Sequence, residues 1–301
     1  MSKLTYLQAN PRRLYRVLIL VLVTMLLAYL MINMGLAWLY VRTLTHPVCG
    51  DPEPLVGFGQ PPQEHWIPTS DKLNLRVFYY PPQNGAVIMA FGGIGGALGN
   101  TLPPVGFLLE KGYGVLQVDT RACARPRASV TLGANEVRDA DAAVDFLALQ
   151  PDVNHIGAMG FSMGGVTAIR SAARNLQIEA IVAEGGFYNL AGDILVDDAA
   201  NPFYRQVFLS TITGLYWLDT GVNPWQVSPI DDLPKISPRP IYLIYGEYEA
   251  ESGHAQAQYA AARQPKQFWL VPGGAHGSNH VVASEQYQSS ILEFFDRELL
   301  K

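Results

Sequence analysis

Val17 to Val41 form the longest apolar run in the chain: no residue in it is charged, and most are Leu, Val, Ile, Met or Ala. As a helix, its 25 residues span roughly 37 Å, enough to cross a bilayer with some tilt. Thr24 and Asn33 are its main polar interruptions, and Tyr29, Trp38 and Tyr40 give its far end aromatic character. A buried core helix is the first alternative, but uncharged runs of this length are rare in soluble domains. A cleaved signal peptide is the second. It predicts a shorter run ending in small residues, whereas this one closes on Trp38-Leu39-Tyr40. The run reads as an uncleaved anchor. Lys3, Arg12, Arg13 and Arg16 precede it and Arg42 alone follows closely. The positive-inside rule then puts residues 1–16 in the cytoplasm and the main domain on the other side. No Asn-x-Ser/Thr acceptor lies outside the span, which favours a bacterial inner membrane and periplasm over a glycosylating lumen.

Residues 42–63 carry Pro47, Pro52, Pro54, Pro61 and Pro62, a composition for an extended tether or a segment laid over the domain surface. The pattern then changes period. Trp66–Pro68 and Leu73–Tyr80 flank Ser70-Asp71-Lys72 as a hairpin. Ala86–Phe91, Val115–Val118, Ile156–Met159, Ala180–Ala183, Ile241–Tyr245 and Phe268–Val271 are short apolar runs, as in strands buried on both faces. Between them lie helical patterns at Leu102–Lys111, at Glu136–Leu149 and in the segment after Ser162, and Glu285–Leu300 closes the chain. On Glu136–Leu149 the apolar positions are Val137, Ala140, Ala143, Val144 and Leu147, which leaves Asp139, Asp141 and Asp145 for the solvated face. Alternating strands and helices predict an α/β fold, a mostly parallel central sheet with helices on both faces, spanning residues 64–301. One insertion, about 187–235, is longer than a simple crossover and rich in aromatic residues. It reads as a helical cap centred on Asn201–Leu218.

The net charge of −5 over 301 residues offers no basic footprint for nucleic acid. No Cys or His cluster has metal-ligand spacing. Cys49 and Cys123 are the two cysteines. They read as unpaired thiols, with a disulfide as the alternative in an oxidising compartment.

Candidate chemistry sits on the Ile156 run. Gly160-Phe161-Ser162-Met163-Gly164 is G-x-S-x-G between a strand and a helix rich in small residues. In that setting the serine projects from the tip of a tight turn, beside the positive end of a helix. Gly92-Gly93-Ile94-Gly95-Gly96 follows the third strand. A dinucleotide fingerprint over Gly92–Gly99 is one reading of it, with Asp119 as the acidic residue. The stronger reading, given Ser162 downstream, is an oxyanion loop with amide donors near Gly93 and at Met163.

With these motifs in place, the chain from about His65 onwards resembles the α/β-hydrolases, in particular membrane-anchored members of serine esterase and peptidase type. Asp119-Thr120-Arg121 stands where the family often has D-x-R-G, although the loop continues Ala122-Cys123-Ala124-Arg125-Pro126 in place of the usual glycines. The resemblance implies an acid just after the Ile241–Tyr245 strand and a histidine in a Gly-rich loop after the last one. Glu249 holds the first position, with Glu247 as its neighbour and alternative. His276 holds the second, with His280 as the fallback. The order Ser162, Glu249, His276 is the order this fold requires.

The expected activity is hydrolysis of an ester, thioester or amide through an acyl-enzyme, with a small-molecule or lipid-like acyl substrate. No metal or organic cofactor is implied, nor a nucleic-acid partner. The rivals are an acyltransferase with the same triad, a tethered binding module on a hydrolase scaffold, and a nucleotide-dependent oxidoreductase. The cap aromatics either pack on the domain or line an apolar acyl pocket. Asp193, Asp197 and Asp198 within the insertion read as surface or capping residues.

Overall fold

The computed structural model describes residues 11–58, 61–95, 104–195 and 202–300. Among these, the short apolar runs become strands of one sheet: β1 (Gln63–Pro68), β2 (Asn74–Tyr80), β3 (Ala86–Phe91), β4 (Gly114–Val118), β5 (His155–Phe161), β6 (Ala180–Glu184), β7 (Ile241–Gly246) and β8 (Lys266–Val271). Their order is β1-β2-β4-β3-β5-β6-β7-β8. The predicted hairpin, β1 with β2, is antiparallel, and β2 is antiparallel to β4; every later pairing is parallel. The α/β reading with a mostly parallel sheet is therefore the observed fold.

The helices are α1 (Pro11–Thr45), α2 (Gly106–Glu110), α3 (Glu136–Leu147), α4 (Met163–Ala172), α5 (Leu190–Leu195), α6 (Phe203–Thr220), α7 (Pro229–Asp232), α8 (Ala255–Ala261), α9 (Asn279–Val282) and α10 (Ser284–Leu299). Alternation along each strand divides the core in two. In β3, Val87, Met89 and Phe91 pack with Ala140 and Ala143 of α3 and Ala168 and Ile169 of α4. Ala86, Ile88 and Ala90 face the other way, towards Phe107 and Leu108 of α2 and Ile291, Phe294 and Phe295 of α10. Burial on both faces explains why these strands read as unbroken apolar runs.

A third cluster lies above the carboxyl ends of the strands. There Ile212 and Tyr216 of α6 pack with Leu190, Leu132 and Met163, and with Ala37 and Val41 of α1. The long apolar helix is thus solvent-exposed over most of its length and docked on the domain at its far end. It continues to Thr45, past the uncharged run. Beyond it, the Leu55 amide donates to Gln117 Oε1 and the Tyr80 hydroxyl to the Leu55 carbonyl.

Two sequence expectations are corrected. Asp139 is not solvated: it is 3 % exposed and receives Nε and Nη2 of Arg121, which is itself buried, at 3.0 and 2.8 Å. A helical wheel could not foresee this, because Arg121 arrives from the loop after β4. Cys49 and Cys123 are not free thiols but a disulfide, with Cα atoms 5.3 Å apart. It ties the chain just beyond α1 to that same loop, across a sequence separation of 74. A cross-link over a loop of this length constrains the unfolded chain by about 4 kcal/mol. Replacing both cysteines by serine is expected to lower Tm in detergent by roughly 10 °C, measured by circular dichroism. An unchanged Tm would show that the bond contributes nothing to stability.

Candidate active site

Gly160 and Gly164 are required by crowding. A Cβ on Gly160 would collide with the Gly164 carbonyl, and one on Gly164 with the carbonyl of Phe91 at the end of β3. With no room on either side, the chain turns sharply from β5 into α4, and Ser162 is held at φ 54°, ψ −118°. Positive φ in a serine costs of order 1–3 kcal/mol and persists only where the surroundings enforce it.

The turn points the Ser162 side chain at His276. Nε2 of His276 lies 3.0 Å from Ser162 Oγ, and Nδ1 lies 2.6 Å from Glu249 Oε2. The second oxygen of Glu249 accepts the Gly246 amide at 2.8 Å and Asn279 Nδ2 at 3.3 Å. The three residues come from the ends of β5, β7 and β8, some 114 and 27 positions apart along the chain. Gly185 leaves them space: a Cβ there would stand 3.0 Å from Glu249 Oε2 and 3.1 Å from His276 Nδ1.

The alternatives fall elsewhere. Glu247 is exposed and accepts the Gly273 amide at 2.8 Å. His280 packs its ring against Tyr287. Met163 opens α4, so its amide belongs to the first turn, where donors have no partner within the helix. Gly93 lies beside the serine, since a Cβ on it would be 3.4 Å from Ser162 Cβ. Gly96–Gly99, part of the loop weighed as a dinucleotide fingerprint, lie outside the described residues, as do Asp197, Asp198 and Asn201 of the insertion.

Electrostatics favour a charged pair. Burial works to raise the Glu249 carboxyl, but the hydrogen bonds from His276 and the Gly246 amide outweigh it and hold its pKa below the usual value. The hydrogen bond to Glu249 raises the His276 pKa, against the opposing effect of burial, and the charges of Glu249, Glu184 and Asp193 add to the rise.

A cavity of about 580 Å³ opens over Ser162 and His276. Its walls include Phe187, Phe208, Leu209 and Ile212 from the insertion, and Tyr40 and Leu44 from α1. Asp193, exposed in the first turn of α5 as its reading as a surface or capping residue had it, also lines it.

Residues 59–269 match the X-Pro dipeptidyl-peptidase family, the S15 family of peptidases. The chain belongs to this family. Ser162 and Glu249 of this S15 member lie inside the matched region, and His276 lies just beyond it. An esterase of Pyrococcus furiosus, Pf2001, superposes with a TM-score of 0.63 at 22 % identity, covering 84 % of this chain and 99 % of its own. The acylaminoacyl peptidase of Pyrococcus horikoshii gives a TM-score of 0.59 at 19 % identity, over 80 % of this chain and 42 % of its own. Protein PA2218 of Pseudomonas aeruginosa is 25 % identical over 249 residues, 64 % of this chain and 67 % of that protein. The S15 chain is thus an α/β-hydrolase and a serine hydrolase of esterase or peptidase type.

Sequence reasoning missed a second carboxylate in this S15 site. Glu184, at the end of β6, is 1 % exposed. It accepts Asn279 Nδ2 at 2.9 Å and the Tyr287 hydroxyl at 2.7 Å. Burial raises its pKa. Asn279 therefore donates to Glu184 and Glu249 together and fixes one against the other. The available signal was a charged residue closing the apolar run Ala180–Ala183; nothing in the sequence pointed to Asn279.

Proposed function

We propose that the protein is a membrane-anchored serine hydrolase that cleaves an ester, thioester or amide through Ser162, His276 and Glu249. The observation that carries this is the chain of hydrogen bonds from Glu249 Oε2 through both ring nitrogens of His276 to Ser162 Oγ, built on a serine held at positive φ.

Glu249, ionised, accepts a hydrogen bond from Nδ1–H and so leaves the Nε2 lone pair facing the serine. As Ser162 Oγ bonds to the substrate carbonyl carbon, its proton passes to Nε2, and the imidazolium is stabilised by Glu249. The carbonyl oxygen gains the negative charge. The Met163 amide and an amide of the Gly93 segment are the donors for it, each worth about 100- to 1000-fold in turnover. Collapse breaks the bond to the leaving alcohol, thiol or amine, which departs with the proton from His276. Water then gives a proton to Nε2, attacks the acyl-enzyme and releases the acid, and Ser162 recovers its proton.

α1 supplies the anchor in this reading, with the domain on the non-cytoplasmic side. The Cys49–Cys123 disulfide supports that side, because such bonds persist in oxidising compartments.

A fluorophosphonate probe applied to the detergent-extracted full chain tests the proposal. Labelling of the wild type, absent in Ser162→Ala and in His276→Ala, is the expected result. A folded wild type that resists the probe would count against an activated serine.

A further inference from the structure

Polar contacts at two points set the register of α6 against α1. Near one end the Tyr29 hydroxyl donates to the Tyr204 carbonyl at 3.4 Å. At the other the Thr45 hydroxyl donates to Asp219 Oδ2 at 2.7 Å, and Arg42 Nη1 reaches Asp219 Oδ1 at 3.3 Å. The sequence offsets are 175 and 174, so the two helices run parallel, side by side, for about four turns.

This register gives α6 a depth in the membrane. Arg12, Arg13 and Arg16 bound the apolar run on its cytoplasmic side. Counted from Val17, a hydrocarbon core of about 30 Å takes about 20 residues and ends near Leu36. Trp38 and Tyr40 come next, at the headgroup level where aromatic rings are favoured. Tyr29 then lies about 10 Å inside the leaflet on the domain's side. Its partner Tyr204, with Phe203 beside it, sits in the first turn of α6, and these rings are 64 % and 79 % exposed. They are apolar surface at acyl-chain depth.

The same offset carries the cavity down to the membrane. Phe208, Leu209 and Ile212 stand beside residues 33–38 of α1, at the boundary of the hydrocarbon core, and all three line the cavity over Ser162. Tyr40 and Leu44 complete that wall from α1. Ala37 and Val41, on the docked face of the same turns, are fully buried. The anchor is therefore also a wall of the pocket, and its far end is held by the disulfide at Cys49.

The geometry points to a substrate resident in the membrane: an acyl ester whose aliphatic chain lies between α1 and α6 while its carbonyl rises to Ser162. This rests on the hydrolase reading above. Ser162 takes the acyl group, the alcohol leaves with the proton held by His276, and water releases the fatty acid. The acyl chain never has to cross water to reach the serine.

The test uses the full chain. In detergent, p-nitrophenyl esters from acetyl to dodecanoyl are compared. In phosphatidylcholine vesicles, a fluorogenic dodecanoyl glycerol ester is the substrate. kcat/KM is expected to rise about fourfold per methylene over the first several carbons. Leu209→Trp, which fills the groove, is expected to lower the dodecanoyl-to-acetyl ratio at least tenfold. The double substitution Phe203→Asp and Tyr204→Asp is expected to lower vesicle turnover about tenfold relative to turnover of the dodecanoyl ester in detergent. A labelled, active wild type with a flat chain-length profile, or one that prefers a prolyl dipeptide anilide to every acyl ester, overturns the membrane substrate and leaves the hydrolase standing. A wild type that does not label overturns both.

Discussion

Ser162→Ala is expected to lower kcat on a short-chain ester by about a million-fold, and adding His276→Ala to it should cost almost nothing more. The reason is geometric. His276 Nε2 is 3.0 Å from Ser162 Oγ, and its first use as a base is to take that proton, without which no acyl-enzyme forms for water to attack. Without the hydroxyl, the imidazole has no nucleophile to activate. Without the imidazole, the serine hydroxyl attacks as a weak nucleophile. The two therefore act as a unit, and their effects do not add. What survives is the contribution of the oxyanion donors and of substrate binding, about 1000- to 10,000-fold over water. Steady-state rates of the two single variants and the double variant check this. A Ser162→Ala enzyme within a hundredfold of wild type would rule out covalent catalysis at this serine.

Glu249→Gln is expected to reduce kcat by about 10,000-fold, whereas Glu247→Gln leaves it near wild type. Both carboxylates follow β7, and only Glu249 reaches His276, at 2.6 Å; Glu247 is occupied with the Gly273 amide. An amide in place of Glu249 can donate to Nδ1 and favour the tautomer that puts a proton on Nε2, where the base must be free. The same pair predicts a pH effect. Glu249 raises the His276 pKa, and the base works only when neutral. Activity in the wild type therefore grows as pH rises through a midpoint above the ordinary imidazole value of about 6.5. Removing the carboxylate lowers that pKa, so the residual activity of Glu249→Gln should have its acid limb at lower pH. Profiles of kcat/KM against pH for the two enzymes measure the shift. A limb that stays in place would show that Glu249 does not govern the proton on His276.

Much of the site was legible because its residues answer to local constraints. Gly160 is forced by crowding within its own turn, against the Gly164 carbonyl, and Gly164 by the neighbouring strand end at Phe91, but a turn of that shape still leaves a mark in five consecutive residues. The strands were legible because burial on both faces admits only apolar side chains. Glu249 and Glu247, by contrast, lie two residues apart at the end of one strand; the family resemblance put Glu249 first, but no periodicity along the chain tells which one faces a histidine 27 positions further on. Asp139 misled for a similar reason. The helical period places it away from the apolar stripe, but a buried Arg121 from another loop makes that position interior.

From its sequence alone, this protein has an α/β fold with a mostly parallel sheet, a serine at a strand-to-helix turn and an apolar helix long enough to span a membrane. These follow from periodicity, steric exclusion and length, which act between near neighbours in the chain. Only the tertiary structure decided that Cys49 meets Cys123, that Asn279 joins Glu184 to Glu249, and that Tyr40 and Leu44 of the apolar helix wall the cavity over Ser162. Each of these joins segments distant in sequence, and their meeting is fixed by how the sheet, the insertion and α1 pack together.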